Sequence, residues 1–188
     1  KPRKLKWSSS LMRSMTTPTS KASPTMPTSD PRTIVGIDPG LARTGYGVLA
    51  LDGGELRAVS FGVLETPAGQ PAAGRLAELE HQMRALLERF RPDVIAVERL
   101  FFNTNTTTAM AVSQARGAIL AACGTAKAAV HECTPLEVKL TVAGYGRASK
   151  HQVQQMTKVL LKLPTVPRPD DAADALAVAI CGARMVRL

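Results

Sequence analysis

Apolar residues recur along this chain with two alternating periods. Thr33-Ile-Val-Gly-Ile-Asp38 is a short apolar run ended by Pro39-Gly40, which predicts a buried strand meeting a turn. Residues 44–51 and 55–65 flank Asp52-Gly53-Gly54, a hairpin signal, so the first three strands are expected to form an antiparallel meander. The period then lengthens. Leu76, Leu79, Met83, Leu86, Leu87 and Phe90 fall at helical spacing until Pro92, predicting an amphipathic helix over 75–90. Val94-Ile-Ala-Val97 reads as a fourth strand closing on Glu98. Residues 106–122, rich in Ala and other small residues, read as a helix whose faces can approach a partner closely. A fifth strand is expected around Ala128 to Glu132. Thr134-Pro-Leu-Glu137 and Ser149-Lys-His-Gln152 both fit the capping box, so a helix begins at each. A last helix runs from near Asp170 to about Arg184. Strands first, then helix and strand in alternation, predict an α/β fold. Its five-stranded mixed sheet has three antiparallel strands, then two parallel ones, with helices on both faces.

Composition changes this picture mainly at the N-terminus. The chain has 188 residues, 45% of them hydrophobic, enough for one buried core. Its net charge is +9, from 24 Lys and Arg against 15 Asp and Glu. Residues 1–32 hold seven of those bases and a single acid, Asp30, leaving 17 bases and 14 acids, an excess of three, in the rest. The basicity that suggests a polyanionic partner is therefore concentrated in a tail rich in Ser, Thr and Pro. Too few apolar residues occur there to bury, so residues 1–32 are expected to be disordered and 33–188 to form the globular domain. The segment shares its acid-poor, Ser/Thr-rich character with transit peptides but lacks an apolar core segment; a dispensable extension or a DNA-holding arm is the alternative.

No apolar run nears the roughly 20 residues a spanning helix needs, so a soluble protein is expected. Cys123, Cys133 and Cys181 form neither a Cys-x-x-Cys pair nor a disulfide framework. They read as small buried hydrophobes in a reducing, cytoplasmic setting.

Candidate chemistry rests on four acids. Asp38 and Glu98 each close an apolar strand, a common place for ligand-binding side chains in α/β folds, although either could be a solvated cap. Asp171 and Asp174 lie three residues apart on one helix face, roughly 5–6 Å between Cβ atoms, where two like charges repel unless a cation intervenes. Acids in a first helical turn are also favoured by the helix dipole, so capping remains open for this pair; Asp170 suits the cap itself. Read together, the four terminate elements that must share one core. Three or four clustered carboxylates cannot all ionise without counter-charge, and hard oxygen donors select Mg²⁺ or Mn²⁺. Two such ions clamp the attacking and leaving oxygens of an in-line phosphoryl displacement. Phosphodiester hydrolysis is the reaction class implied.

At this point the sequence resembles the RuvC family of Holliday-junction resolvases, a branch of the RNase H-like fold. The residues are Gly36-Ile-Asp-Pro-Gly-Leu-Ala-Arg-Thr-Gly-Tyr-Gly47, Val97-Glu-Arg-Leu-Phe-Phe-Asn103, Gln114-Ala-Arg-Gly117, Val142-Ala-Gly-Tyr-Gly146, Leu160-Leu-Lys-Leu-Pro164 and Asp171-Ala-Ala-Asp-Ala-Leu-Ala177. They span Thr33 to near Ala183. The resemblance implies a crossover junction endodeoxyribonuclease acting in recombination and repair, with Asp38, Glu98, Asp171 and Asp174 as metal ligands for two ions. It also implies an aromatic wedge at Phe101, phosphate-facing bases at Lys139 and Lys150, a homodimer with one active site per cut strand, and RuvA- and RuvB-type branch-migration partners.

Other residues support these expectations unequally. Phe101 and Phe102 follow a strand in an Asn- and Thr-rich loop, where exposed aromatics need a partner such as a base; Phe102 can instead cap the core. Gly144-Tyr-Gly146, Arg147, Ser149, Lys150 and His151 combine flexible backbone, cations and a helix N-terminus, which suits phosphate, while a solvated basic loop is the plain alternative. Tyr145 either stacks or packs. Arg99 departs from the family pattern, in which a neutral Gln is common, and adds a cation beside the metals or the scissile phosphate. His81 and His131 read as ordinary surface or sheet residues. The helix over 106–122 is the expected dimer face.

Three other function classes compete. An actin-like ATPase shares Gly-Ile-Asp-x-Gly but needs a second domain repeat. A non-catalytic DNA-binding module gains nothing from carboxylates facing phosphate. A sibling nuclease acting on RNA or another branched substrate would share the metal site and differ in the Phe101 loop.

Overall fold

The computed structural model describes residues 31–99 and 106–185, side chains of 106–108 excepted. Five strands and five helices follow in the order β1 (Arg32–Asp38), β2 (Arg43–Asp52), β3 (Glu55–Glu65), α1 (Ala72–Phe90), β4 (Val94–Glu98), α2 (Thr106–Gly124), β5 (Ala129–Cys133), α3 (Pro135–Ala143), α4 (Lys150–Leu160) and α5 (Asp170–Met185). The sheet order is β3-β2-β1-β4-β5. β1, β2 and β3 pair antiparallel, while β4 lies parallel to both β1 and β5. This is the expected mixed sheet, its elements within a few residues of the expected bounds.

Strand periodicity sorts the core into two layers. Val35 and Ile37 of β1, with Ile95 and Val97 of β4, pack beneath α1 and α2. Ile34 of β1, with Val94 and Ala96 of β4, faces the layer built by α3, α4 and α5. Both capping boxes form. Thr134 Oγ1 accepts from the Glu137 amide at 3.1 Å, and Ser149 Oγ accepts from the Gln152 amide at 3.2 Å. All three cysteines are buried and free, as small hydrophobes would be. Among the described residues, no helix is long and apolar enough to cross a membrane.

Helix α5 sits unusually close to the sheet because glycines lie beneath it. A Cβ on Gly36 would fall 2.2 Å from the Ala179 amide nitrogen, and one on Gly45 would fall 2.0 Å from the Asp171 carbonyl oxygen. Only a residue without a Cβ fits at either place. The helix therefore rests backbone to backbone on β1 and β2, with Ala175, Leu176, Ala179 and Ile180 buried around the seam.

Candidate active site

Alternation along the strands determines where the first two acids point. Ile34 and Gly36 face α5, so Asp38, two residues on, projects to the same side at the strand's end. In β4, Val94 and Ala96 face that layer, and Glu98 continues the series. β1 and β4 run parallel and adjacent, which brings both carboxylates to one edge of the sheet. The first turn of α5 meets them there, since Gly45, the cross-strand partner of Asp38, lies directly under Asp171.

The turn after Asp38 is pinned by one side chain. Thr44 is fully buried, its hydroxyl donating to the Gly40 carbonyl at 2.6 Å and accepting from the Gly40 amide at 3.3 Å. This fixes where β1 ends and where β2 begins at Arg43.

The four acids act on one another electrostatically. Burial pushes the Asp38 carboxyl up to about 8, and the negative charges of Glu98, Asp174 and Asp171 push the same way. Asp38 and Glu98 act on each other directly, Glu98 raising Asp38 and Asp38 lowering Glu98. Glu98 is raised as well, through burial first and then through Asp174, while Lys150 and Lys139 pull it down. The outer two acids have cations of their own. Lys150 Nζ lies 2.7 Å from Asp174 Oδ2, and Arg43 Nη2 lies 3.3 Å from Asp171 Oδ2. Among the described residues, no three acidic, His or Cys side chains stand close enough to grip an ion as they are placed. The quartet thus gathers around one place with its outer members turned to Lys150 and Arg43.

The other expected site residues divide. Lys150 sits on the quartet, and Lys139 is near enough to Glu98 to act on it. Tyr145, half-exposed, and Arg147, exposed, lie in the connection between α3 and α4. Arg99 is directed away from the acids' centre: its Nε is 3.6 Å from Glu132 Oε2, a carboxylate that also takes Arg116. Asp170 stands inside the first turn of α5 and bonds Arg168. Phe101 and Phe102 lie outside the described residues. Sequence reading missed Arg43, because its contact with Asp171 joins residues 128 positions apart.

The family model of the crossover junction endodeoxyribonuclease RuvC matches residues 34–182. The chain belongs to the RuvC family. All four acids fall inside the matched segment. Among relatives described as crossover junction endodeoxyribonuclease RuvC, that of Thermomicrobium roseum is 54% identical over 79% of this chain and 90% of its own length. That of Brevibacillus brevis is 52% identical over 80% of this chain and 91% of its own. The Thermus thermophilus RuvC structure in complex with a Holliday junction substrate superposes with a TM-score of 0.78 at 37% identity, covering 83% of this chain and 95% of that one. The yeast mitochondrial Holliday junction resolvase Ydc2, at 17% identity and a TM-score of 0.60, shares the fold. The RNase H-like sheet expected of a RuvC family member is therefore the one observed.

Proposed function

We propose that this protein is a Holliday-junction resolvase, a crossover junction endodeoxyribonuclease that nicks two like strands of a four-way DNA junction. The observation that carries the reading is the half-buried Asp38–Glu98 pair facing Asp171 and Asp174 at one end of the sheet, inside the segment matched by the family model.

The residues fit divalent metal. Four carboxylates offer oxygen donors only, and Asp38 is raised by burial first and then by the negative charges of Glu98, Asp174 and Asp171. Asp38, Glu98, Asp171 and Asp174 would hold two ions of the Mg²⁺ or Mn²⁺ class. Such ions would supply Lewis acidity at the attacking water and at the departing 3′ oxygen, consistent with 5′-phosphate and 3′-hydroxyl ends. Asp38 fixes the centre of the site from the end of β1. Lys139 and Lys150 set positive charge at its rim for the backbone phosphates, and Tyr145 and Arg147 extend that surface along the α3–α4 connection. Phe101 is assigned the wedge that parts bases at the crossover. Arg99, tied to Glu132, acts on the flank of the bound strand.

Family membership supports a homodimer, one site per cut strand, and cytoplasmic action with RuvA- and RuvB-type branch-migration proteins. The exposed Met110 and the small residues of α2 favour that helix as the dimer face.

The test compares a synthetic four-way junction, a linear duplex and an RNA–DNA hybrid, each with and without Mg²⁺ or Mn²⁺. Paired nicks confined to the junction and dependent on metal are expected. Asp38→Asn should lower cutting at least about a thousand-fold while junction binding survives. Cutting that persists without divalent metal would sink the scheme.

A further inference from the structure

One open cleft beside the acids, about 770 Å³ in volume, is lined by Arg43, Lys150, Arg168, Pro169, Asp170 and Asp171. Three cations converge there, and each is held by a carboxylate: Arg43 by Asp171, Lys150 by Asp174, Arg168 by Asp170. As it stands, the cleft is close to charge-balanced and offers a polyanion little attraction.

That balance depends on two of the four candidate metal ligands. From the function proposed above, we infer that the cleft is a phosphate clamp for the strand being cut, built from Arg43 and Arg168 beside Lys150 and armed by cation exchange. Divalent metal takes Asp171 and Asp174, Arg43 and Lys150 are released, and the cleft becomes positive only when the site is loaded.

Physical features of the ion pairs fit such an exchange. Arg43 and Asp171 are only partly shielded, with side chains 45% and 33% exposed, so their attraction is weak and a divalent ion displaces it at small cost. Arg43 is not set loose by the exchange, because its Nε also lies 3.6 Å from Glu65 Oε1 and the Thr44–Gly40 bonds fix the backbone beside it. A guanidinium anchored on one side keeps N–H groups in a fork suited to two phosphate oxygens. Arg168, 76% exposed, pairs with Asp170, which is outside the metal set, so its pairing is the same with or without metal and its remaining N–H groups stay open to phosphate.

This assignment makes the two arginines behave differently. Arg43→Gln removes a competitor of the metal, so Mn²⁺ titrated into DNA-free protein should bind roughly threefold tighter, the equivalent of under about 1 kcal/mol of lost ion pairing. Arg168→Gln should leave Mn²⁺ affinity unchanged. Junction affinity is then measured against salt with Ca²⁺ present, under conditions where gels show no cutting. Each variant should weaken binding and reduce the salt slope by about one. Arg43→Lys, which keeps the charge but not the fork, should restore the slope and only part of the affinity. Melting temperatures near wild type exclude misfolding as the cause. Arg43→Gln with unaltered Mn²⁺ affinity overturns the exchange, and unaltered salt slopes in both variants overturn the clamp. Wild-type protein that shows no preference for junctions would overturn the resolvase reading, and the Mn²⁺ comparison would still decide the exchange.

Discussion

The two carboxylate pairs of the site are built on opposite principles. Asp38 and Glu98 stand on adjacent parallel strands, half-buried, and Asp38 is raised to about 8 by desolvation and by its acidic neighbours. Asp171 and Asp174 stand on a helix turn, partly exposed, each with a cation at its own oxygen. The inner pair is stressed by burial and by its acidic neighbours, and the outer pair is relaxed by borrowed counter-charge. Binding of metal would relieve the first and release the second. The site thus gathers its acids by enclosing one pair and lending cations to the other.

Neutralising one acid of each pair is the strongest way to break this comparison. Asp38→Asn and Asp171→Asn should both abolish most cleavage yet move stability in opposite directions. For Asp38 the folded-state value near 8 exceeds the ordinary 3.8, so the folded state holds that proton more tightly. Its stabilising contribution is complete below about 4 and disappears as pH rises toward 8. Metal-free Asp38→Asn should therefore be more stable than wild type at pH 8, by roughly 1–3 kcal/mol, and show a flatter stability profile over that range. Asp171→Asn loses a partly exposed ion pair and should be less stable by under about 1 kcal/mol. Thermal unfolding of both proteins in chelator from pH 5 to 8 reads the difference, and equal shifts would remove the distinction between the pairs.

A second substitution attacks the geometry that joins the pairs. Gly45→Val places side-chain atoms where the Asp171 backbone lies, so α5 must lift. A loss of roughly 3 kcal/mol in unfolding free energy is expected, with Mn²⁺ affinity lost beyond what that destabilisation explains. Preserved metal affinity would show that the acids find each other without the close helix.

The smallest effect concerns the outer pair alone. Ser149→Ala removes the cap that starts α4 one residue before Lys150, and should cost about 1 kcal/mol by denaturant titration. Junction affinity should fall slightly through looser placement of Lys150, while Mn²⁺ affinity should not fall.

The fold was largely legible in the sequence because its signals are local. Strand alternation, Pro92, the Gly53-Gly54 hairpin and two capping boxes each act within a few residues, and each predicts its element to within a few positions. The fifth strand, expected at 128–132, runs over Ala129–Cys133, since its partly exposed edge has little apolar contrast to mark the ends. The four acids were legible as strand and helix termini. The cations that serve them were less so. Lys150 followed from family resemblance, whereas Arg43 meets Asp171 only once β2 lies beneath α5, a contact no local pattern encodes. Arg99 shows the converse, for its position beside Glu98 suggested an active-site cation and the structure ties it to Glu132. The glycines of β1 and β2 read as turn and strand residues; their task of admitting a helix backbone emerges only in three dimensions.

That close seat has a meaning for anyone who would transplant the chemistry. Copying Asp38, Glu98, Asp171 and Asp174 onto another sheet of the same strand order would not reproduce the site, because ordinary side chains under the helix would hold two of the ligands too far from the others. The recipient must first be hollowed at the positions of Gly36 and Gly45. In a catalytic graft from this protein, the residues with no side chain would have to be moved before the residues that react.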